Sequence, residues 1–185
     1  MRSEELILIF PLTPHYWLLA TNMKRLFIDL DICNKCKECK VACDYFYHPQ
    51  NNGITSLREY ATFAAICRHC EEAPCVNSCY HEALEKQVDG ILKRYKMRCS
   101  SCKSCSIACP FGTIFPDFIP YLDSKCDYCV GISGRPPKCI TGCPEKAIEI
   151  KEIEEDLEKN IYFVGEHLAV HSPKWLREDI VLKKK

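Results

Sequence analysis

The sequence predicts an α+β chain with little regular secondary structure, whose core is organised by bound metal more than by apolar side chains. Three observations carry this expectation. Sixteen of the 185 residues are cysteine, a density that marks a metal-bound or disulfide scaffold. The 47% hydrophobic fraction counts those cysteines as apolar; without them roughly 38% remains, thin for one conventional core at this length. The stretches patterned as strand or helix are short, and cysteine-rich loops separate them. Twenty-five basic and 25 acidic side chains cancel to zero formal charge, which gives no general electrostatic footprint for nucleic acid or an anionic membrane. The length suits one domain or two small ones.

The chain opens with an apolar stretch at residues 6–20, preceded by Arg2, Glu4 and Glu5. It is shorter than the roughly 20 residues that cross a bilayer, and Pro11, Pro14 and His15 interrupt it. No small-x-small cleavage site follows it cleanly, and no twin-arginine pair precedes it. Residues 1–22 are therefore expected to form an apolar N-terminal extension that packs on a partner, without membrane insertion. The alternation Lys24-Arg25-Leu26-Phe27-Ile28-Asp29-Leu30-Asp31 predicts the first strand. Lack of an export signal points to the cytoplasm, where thiols stay reduced. Sixteen reduced cysteines need another use.

The cysteines fall in four quartets with none left over: Cys33, Cys36, Cys39 and Cys43; Cys67, Cys70, Cys75 and Cys79; Cys99, Cys102, Cys105 and Cys109; Cys126, Cys129, Cys139 and Cys143. The first and third share the spacing C-x2-C-x2-C-x3-C. The second reads C-x2-C-x4-C-x3-C and the fourth C-x2-C-x9-C-x3-C. Three thiolates at such intervals can wrap a short loop around one side of an iron–sulfur cubane, with backbone N–H groups aimed at its sulfurs. The fourth cysteine, often followed by proline, ligates a neighbouring cluster. Pro110 and Pro144 follow Cys109 and Cys143 and predict a helix start there, whereas Asp44 and Tyr80 follow Cys43 and Cys79. A zinc ribbon uses paired C-x2-C knuckles but does not call for a third cysteine at the next step. A disulfide framework needs an oxidising compartment. The ligand pattern therefore points to iron–sulfur clusters, with a zinc-binding structural protein as the weaker alternative.

Residues 80–95 read as a short helical turn and then two strands joined at Asp89-Gly90, a dipeptide that favours a tight hairpin. Pro116, Pro120 and residues 131–137 read as loops. Ala147-Ile148-Glu149-Ile150 reads as a closing strand. Beyond it, residues 145–159 are rich in acidic side chains, and Ile161-Tyr162-Phe163-Val164 and residues 167–175 follow before Lys183-Lys184-Lys185. This apolar tail has no evident place in a completed cluster-bearing core, so it is expected to dock on a partner subunit.

These residues resemble a known family, the four-cluster, ferredoxin-like electron-transfer subunits of molybdenum and tungsten pterin oxidoreductases. That family includes partners of formate dehydrogenases, of the dimethyl sulfoxide reductase group and of relatives of aldehyde:ferredoxin oxidoreductase. The resemblance covers about residues 24–150. It is carried by Ile32-Cys33-Asn34-Lys35-Cys36-Lys37-Glu38-Cys39, His69-Cys70-Glu71-Glu72-Ala73-Pro74-Cys75, Asp89-Gly90-Ile91 ahead of Arg98-Cys99-Ser100-Ser101-Cys102, and Cys139-Ile140-Thr141-Gly142-Cys143-Pro144. It implies four 4Fe-4S clusters. One takes Cys33, Cys36, Cys39 and Cys143; its neighbour takes Cys126, Cys129, Cys139 and Cys43. The inner two take Cys67, Cys70, Cys75 with Cys109, and Cys99, Cys102, Cys105 with Cys79. It also implies two nested modules of bacterial-ferredoxin type. The outer one is formed by residues 23–60 and 120–150, the inner one by the inserted residues 61–119, and residues 151–185 make a C-terminal tail.

Four oxidised clusters with their thiolates add about −8 to a chain of zero formal charge. Lys35, Lys37, Lys40, Arg68, Lys96, Arg98, Lys103, Lys125 and Lys138, close to the cysteines in sequence, are placed to offset part of that charge. No catalytic constellation competes with this reading. His15, His48, His69, His81, His167 and His171 lack a metal-ligand spacing and read as surface or packing residues. There is no dinucleotide fingerprint or phosphate loop. The expected function is electron relay between a large pterin-containing catalytic subunit and a further redox protein in a heteromeric complex, with no bond chemistry in this chain. The subunit's compactness and lack of export lean the partner slightly to tungsten over molybdenum. A stand-alone polyferredoxin shuttle is the alternative within electron transfer.

Overall fold

The computed structural model describes residues 23–37, 39–44, 53–120, 125–129 and 134–172. The expected N-terminal extension, His15, His48, part of the 131–137 loop and the last thirteen residues lie outside them. Strand β1, Lys24–Asp29, begins where the sequence pattern places it and runs directly into helix α1, Leu30–Lys35. Asp29 makes the change of direction: its side chain accepts the Ile32 N–H at 2.9 Å and caps the helix. Strand β4, Ile148–Glu152, is the expected closing strand and pairs antiparallel with β1, Leu26 opposite Ile150.

The tail corrects the sequence expectation. Ile161–Val164 and Leu168–His171 form strands β5 and β6, an antiparallel hairpin whose second strand lies parallel to β1, Leu26 beside Leu168. The sheet order is β4-β1-β6-β5. Tyr162, Val164, Leu168 and Val170 are buried with Leu26 and Ile28 in one core, so residues 161–171 dock on their own chain and not on a partner. The reason is geometric: without β6, one edge of β1 would leave its backbone groups unpaired in a buried strand. His171 Nδ1 lies 2.8 Å from Asp29 Oδ2, joining the end of β6 to the helix cap. On the opposite face of the sheet the Arg25 guanidinium covers the Phe163 ring at 3.9 Å and the Lys151 ammonium covers Phe27 at 3.6 Å. Leu168 is fully buried, so Leu168→Ala is expected to cost about 2–5 kcal/mol, read as a fall in denaturation midpoint.

Helix α2, Gly53–Ala65, was not anticipated. Its apolar stripe of Ile54, Leu57, Ala61, Ala64 and Ala65 enters the first core, while Phe63 enters a second core with Leu84, Leu92, Ile114 and Ile119. One helix therefore serves both cores, and the expected module boundary at residues 60 and 61 falls inside it. Strands β2, Leu84–Lys86, and β3, Leu92–Arg94, form the expected hairpin, closed through residues 87–91 with Gly90 at φ +84°. Arg94 on β3 forms a bidentate ion pair with Glu59 on α2, Nε to Oε1 at 2.5 Å and Nη2 to Oε2 at 2.8 Å, with side chains 2% and 5% exposed.

The helices beside the cysteines are displaced from expectation. They precede the fourth cysteine of a quartet instead of following it: α3, Pro74–Asn77, carries Cys75; α4, Ser104–Ala108, carries Cys105; and α5, Lys138–Thr141, carries Cys139. The spacing x3 between the third and fourth cysteines spans one helical turn and turns both thiols to one side. After Cys109-Pro110 and Cys143-Pro144 the chain makes a tight turn, because Gly112 and Lys146 take positive φ, which ends any helix. Among the described residues no helix is long and apolar enough to cross a membrane.

Candidate metal centre

The backbone around the cysteines repeats more closely than the cysteine spacing does. In three quartets the second residue between the first two cysteines is left-handed: His69, Ser101 and Tyr128, at φ 49°, 59° and 59°. Such a turn aims successive N–H groups into the loop, as an anion-binding nest does. Tyr128 N–H donates to Cys126 Sγ at 3.4 Å. In the first quartet this position is Lys35, which is still helical. The residue three after the fourth cysteine is also left-handed in the three quartets where it is described: Glu82, Gly112 and Lys146. Their N–H groups donate to the carbonyls of Cys79, Cys109 and Cys143 at 3.0, 3.2 and 3.2 Å. The next N–H, of Ala83 or Ala147, donates to Cys79 Sγ or Cys143 Sγ at 3.3 Å, and Thr113 Oγ1 lies 3.4 Å from Cys109 Sγ. A buried Leu84, Ile114 or Ile148 follows each. The pattern C-x3-[Ala/Thr]-[Leu/Ile] behind this repeat stands in the sequence and was overlooked there.

Thiols distant in sequence are brought together. Cys33 is surrounded electrostatically by Cys36, Cys39 and Cys143. Cys139 feels Cys129, Cys126 and Cys43. Cys75 feels Cys67 and Cys109, and Cys67 feels Cys70. Cys105 feels Cys99 and Cys79, and also Cys75 of the adjoining group. Cys102, exposed on the loop between Cys99 and α4, lies 3.4 Å from Ser104 Oγ. One cavity is lined by Cys43, Cys126, Cys129 and Cys139, and another by Cys67, Cys70, Cys75 and Cys109. A mononuclear metal site needs its donors to converge on one point. Among the described residues no three His, Cys, Asp or Glu side chains do so.

Burial pushes the thiols of Cys33, Cys75, Cys105, Cys126 and Cys129 up to about 11, and that of Cys139 up to about 12. These pockets penalise a bare thiolate. They suit a group that brings positive charge to the sulfurs and is itself covered by apolar walls, as an iron–sulfur core is. At Cys102 the Ser104 hydroxyl and N–H act in the opposite sense and hold the thiol below its ordinary value. At Cys109 burial opposes the hydrogen bonds to Thr113 and its neighbours, which together outweigh it and lower the thiol.

Three cations stand closest in effect to these thiols: Arg58 toward Cys33 and Cys36, Lys86 toward Cys67, and Lys96 toward Cys126. Lys96 was singled out from sequence; Arg58 and Lys86 were missed because no cysteine is near them in the chain. Lys86 Nζ donates to the Cys70 carbonyl at 2.8 Å, and Lys96 Nζ to Ser56 Oγ at 2.7 Å. Other basic residues of the sequence reading have different partners. Lys35 pairs with Asp31 at 2.6 Å, while Arg68 and Arg98 lie over Phe111 and Tyr95 at 5.6 and 5.1 Å. Of the described histidines, His69 Nε2 lies 2.8 Å from the Phe63 carbonyl oxygen, and His81 and His167 lie against the rings of Tyr80 and Tyr128.

Asp44, standing where two other quartets have proline, accepts the Lys138 N–H at 2.9 Å and pairs with Arg135 at 2.9 Å. Those contacts hold its carboxyl below the usual range, the Lys138 N–H foremost. Asp44 thus ties the exit of the first quartet to the start of α5, which carries Cys139. Gly53 has a related role. A Cβ there would stand 2.9 Å from Cys43 Sγ, so the bare backbone leaves that thiol its place in the cavity.

Comparison with known proteins agrees with this architecture. Residues 58–153 match the model of the 4Fe-4S dicluster domain. The sequence is 30% identical over 151 residues to the uncharacterized ferredoxin-like protein YdhX of Escherichia coli K12, covering 71% of this chain and 68% of the relative. It is 30% identical over 156 residues to the B subunit of anaerobic dimethyl sulfoxide reductase from the same organism, covering 73% of this chain and 76% of the relative. A 32% identity over 138 residues links it to the putative oxidoreductase AegA of E. coli K12, covering 64% of this chain and 20% of that longer protein.

Proposed function

This protein belongs to the 4Fe-4S dicluster domain family, and from that premise we propose that it carries four 4Fe-4S clusters and relays electrons within a heteromeric oxidoreductase. The carrying observation is the gathering of thiols from distant quartets around shared cavities. We assign Cys33, Cys36, Cys39 and Cys143 to one cluster and Cys126, Cys129, Cys139 and Cys43 to its neighbour. The other two take Cys67, Cys70, Cys75 with Cys109, and Cys99, Cys102, Cys105 with Cys79. The two cores are read as nested modules that share α2. The clusters, when bound, supply reversible one-electron transfer. This chain's residues hold them, cover Cys33, Cys75 and Cys105 with apolar walls, and stabilise the sulfurs through backbone N–H groups and the nearby cations.

The dimethyl sulfoxide reductase subunit among the relatives supports a pterin-containing catalytic subunit as partner. That relative favours molybdenum in the partner and lends nothing to the leaning toward tungsten. We place the complex in the cytoplasm, where the cysteines stay reduced for cluster loading. Affinity purification of the protein from its native host under anaerobic conditions tests this reading. It is expected to bring down a large pterin-containing subunit with molybdenum and a protein reducible by dithionite. Recovery of the protein alone would favour a free shuttle.

Gly53→Ala separates helix from site. Gly53 is the first residue of α2, where alanine leaves the helix interior as it is, while its Cβ intrudes on Cys43 Sγ. Iron is expected to fall by up to about four per chain while the helical circular dichroism signal is kept.

A further inference from the structure

We propose that Lys86 and Thr113 raise the reduction potential of the cluster site formed by Cys67, Cys70, Cys75 and Cys109, as positioning residues that place an ammonium in its wall and donate a hydroxyl hydrogen bond to one of its sulfurs. Both roles rest on the cluster assignment above.

Lys86 and Thr113 line the same cavity as those four cysteines. Lys86 ends β2, and its half-buried side chain reaches the loop of the second quartet, where Nζ donates to the Cys70 carbonyl at 2.8 Å. Among the described residues no carboxylate pairs with it. The described lining holds one further cation, Arg68, which lies over the Phe111 ring at 5.6 Å, and no Asp or Glu side chain. Glu71 and Glu72, on the loop between Cys70 and Cys75, are exposed, where water screens their charge. Thr113 is 4% exposed, and its Oγ1 lies 3.4 Å from Cys109 Sγ. A cysteine bound to iron carries no proton, so in the loaded site the hydroxyl donates and the sulfur accepts. The internal repeat does not give the neighbouring inner site these two groups. Four residues after Cys79 stands Ala83, which offers Cys79 Sγ a backbone N–H at 3.3 Å but no hydroxyl. The counterpart of Lys86, seven residues after Cys109, is Pro116. The hydroxyl contact of that neighbour, Ser104 to Cys102, is made at an exposed sulfur, where water competes for it.

The sign of the effect follows from charge. One-electron reduction adds a negative charge to the site, and both a cation in its wall and a hydroxyl donated to a ligand sulfur stabilise the reduced form more than the oxidised one. Removing either group makes the site harder to reduce.

The test is an anaerobic redox titration followed by electron paramagnetic resonance on Lys86→Met, Lys86→Arg, Thr113→Val and Thr113→Ser proteins, with iron and acid-labile sulfide measured on each. Lys86→Met and Thr113→Val are expected to keep the wild-type iron and sulfide and to lower the potential of one and the same component, the others staying in place. In Lys86→Met the reduced-to-oxidised ratio of that component at a fixed potential should fall about tenfold, which is about 59 mV for one electron. In Thr113→Val it should fall several-fold. Lys86→Arg and Thr113→Ser, which keep the charge and the hydroxyl, should restore most of each shift. If Lys86→Met loses iron, Lys86→Gln takes its place; loss of iron in both would make Lys86 a structural residue and overturn its role. Wild-type potentials for every component in Lys86→Met or in Thr113→Val, with full iron content, would overturn the role of that residue. Shifts in two different components would overturn the placement of both at one site. Wild-type protein that holds iron without sulfide would instead overturn the cluster assignment, and with it both roles.

Discussion

Replacing Cys126 and Cys139 together by alanine is expected to remove one reducible component from the spectrum of the protein and to lower its iron by about four atoms per chain. Both thiols line one cavity with Cys43 and Cys129, and burial holds both far above the ordinary thiol value. Two remaining cysteines cannot retain a cubane against chelation, and the cavity, opened beside Gly53 and Leu57, admits water. The sites of the second and third quartets should be spared because their thiols lie on other loops, and the site that takes Cys143, one turn beyond Cys139, keeps all four of its thiols. Ile107→Ala, at an apolar side chain 86% exposed, serves as a control with no expected change. Unchanged iron and an unchanged spectrum in the double variant would contradict the assignment of these residues.

The second large effect is on stability. Arg94→Ala is expected to destabilise the protein by about 3–5 kcal/mol, because it leaves the Glu59 carboxylate buried and without its bidentate partner. For a chain of this length that corresponds to a fall in Tm of roughly 10 °C. The pair joins α2 to β3, and Arg94 also reaches the Pro120 carbonyl at 3.4 Å, so the loss bears on the junction of the two cores. Replacing both partners with apolar residues, Glu59→Leu with Arg94→Met, should recover most of the loss, since it removes both charges that must be desolvated. A single variant that melts with the wild type would show that the pair carries no such burden.

How far the sequence disclosed this molecule depends on whether the governing interactions are local. The cysteine loops were readable because metal ligation acts over two or three residues, and the first strand was readable from its alternation. The hairpin at Asp89 and Gly90 followed from turn chemistry. What escaped was set by long-range geometry. Leu168–His171 become a core strand only because they lie parallel to β1, more than a hundred residues earlier, and nothing local in Ile161-Tyr162-Phe163-Val164 distinguishes a core hairpin from a docking segment. Arg58 and Lys86 reach thiols of loops that neither adjoins in sequence.

Other misses were available. The stripe of Ile54, Leu57, Ala61 and Ala65 on α2 has helical spacing, and it was passed over for the cysteines on either side. The helices were expected after the prolines that follow Cys109 and Cys143, yet the third-to-fourth spacing of four residues already described a helical turn before them. Asp44 stands where two other quartets have proline; in the folded chain its carboxylate accepts the first N–H of α5 from 94 residues away in sequence.

Iron and acid-labile sulfide, measured per chain on anaerobically purified protein before and after dithionite, test the central claim most directly. About sixteen of each, with a visible absorption that bleaches on reduction and returns on oxidation, is the predicted result. Zinc in place of iron, with no sulfide and no change on reduction, would contradict it.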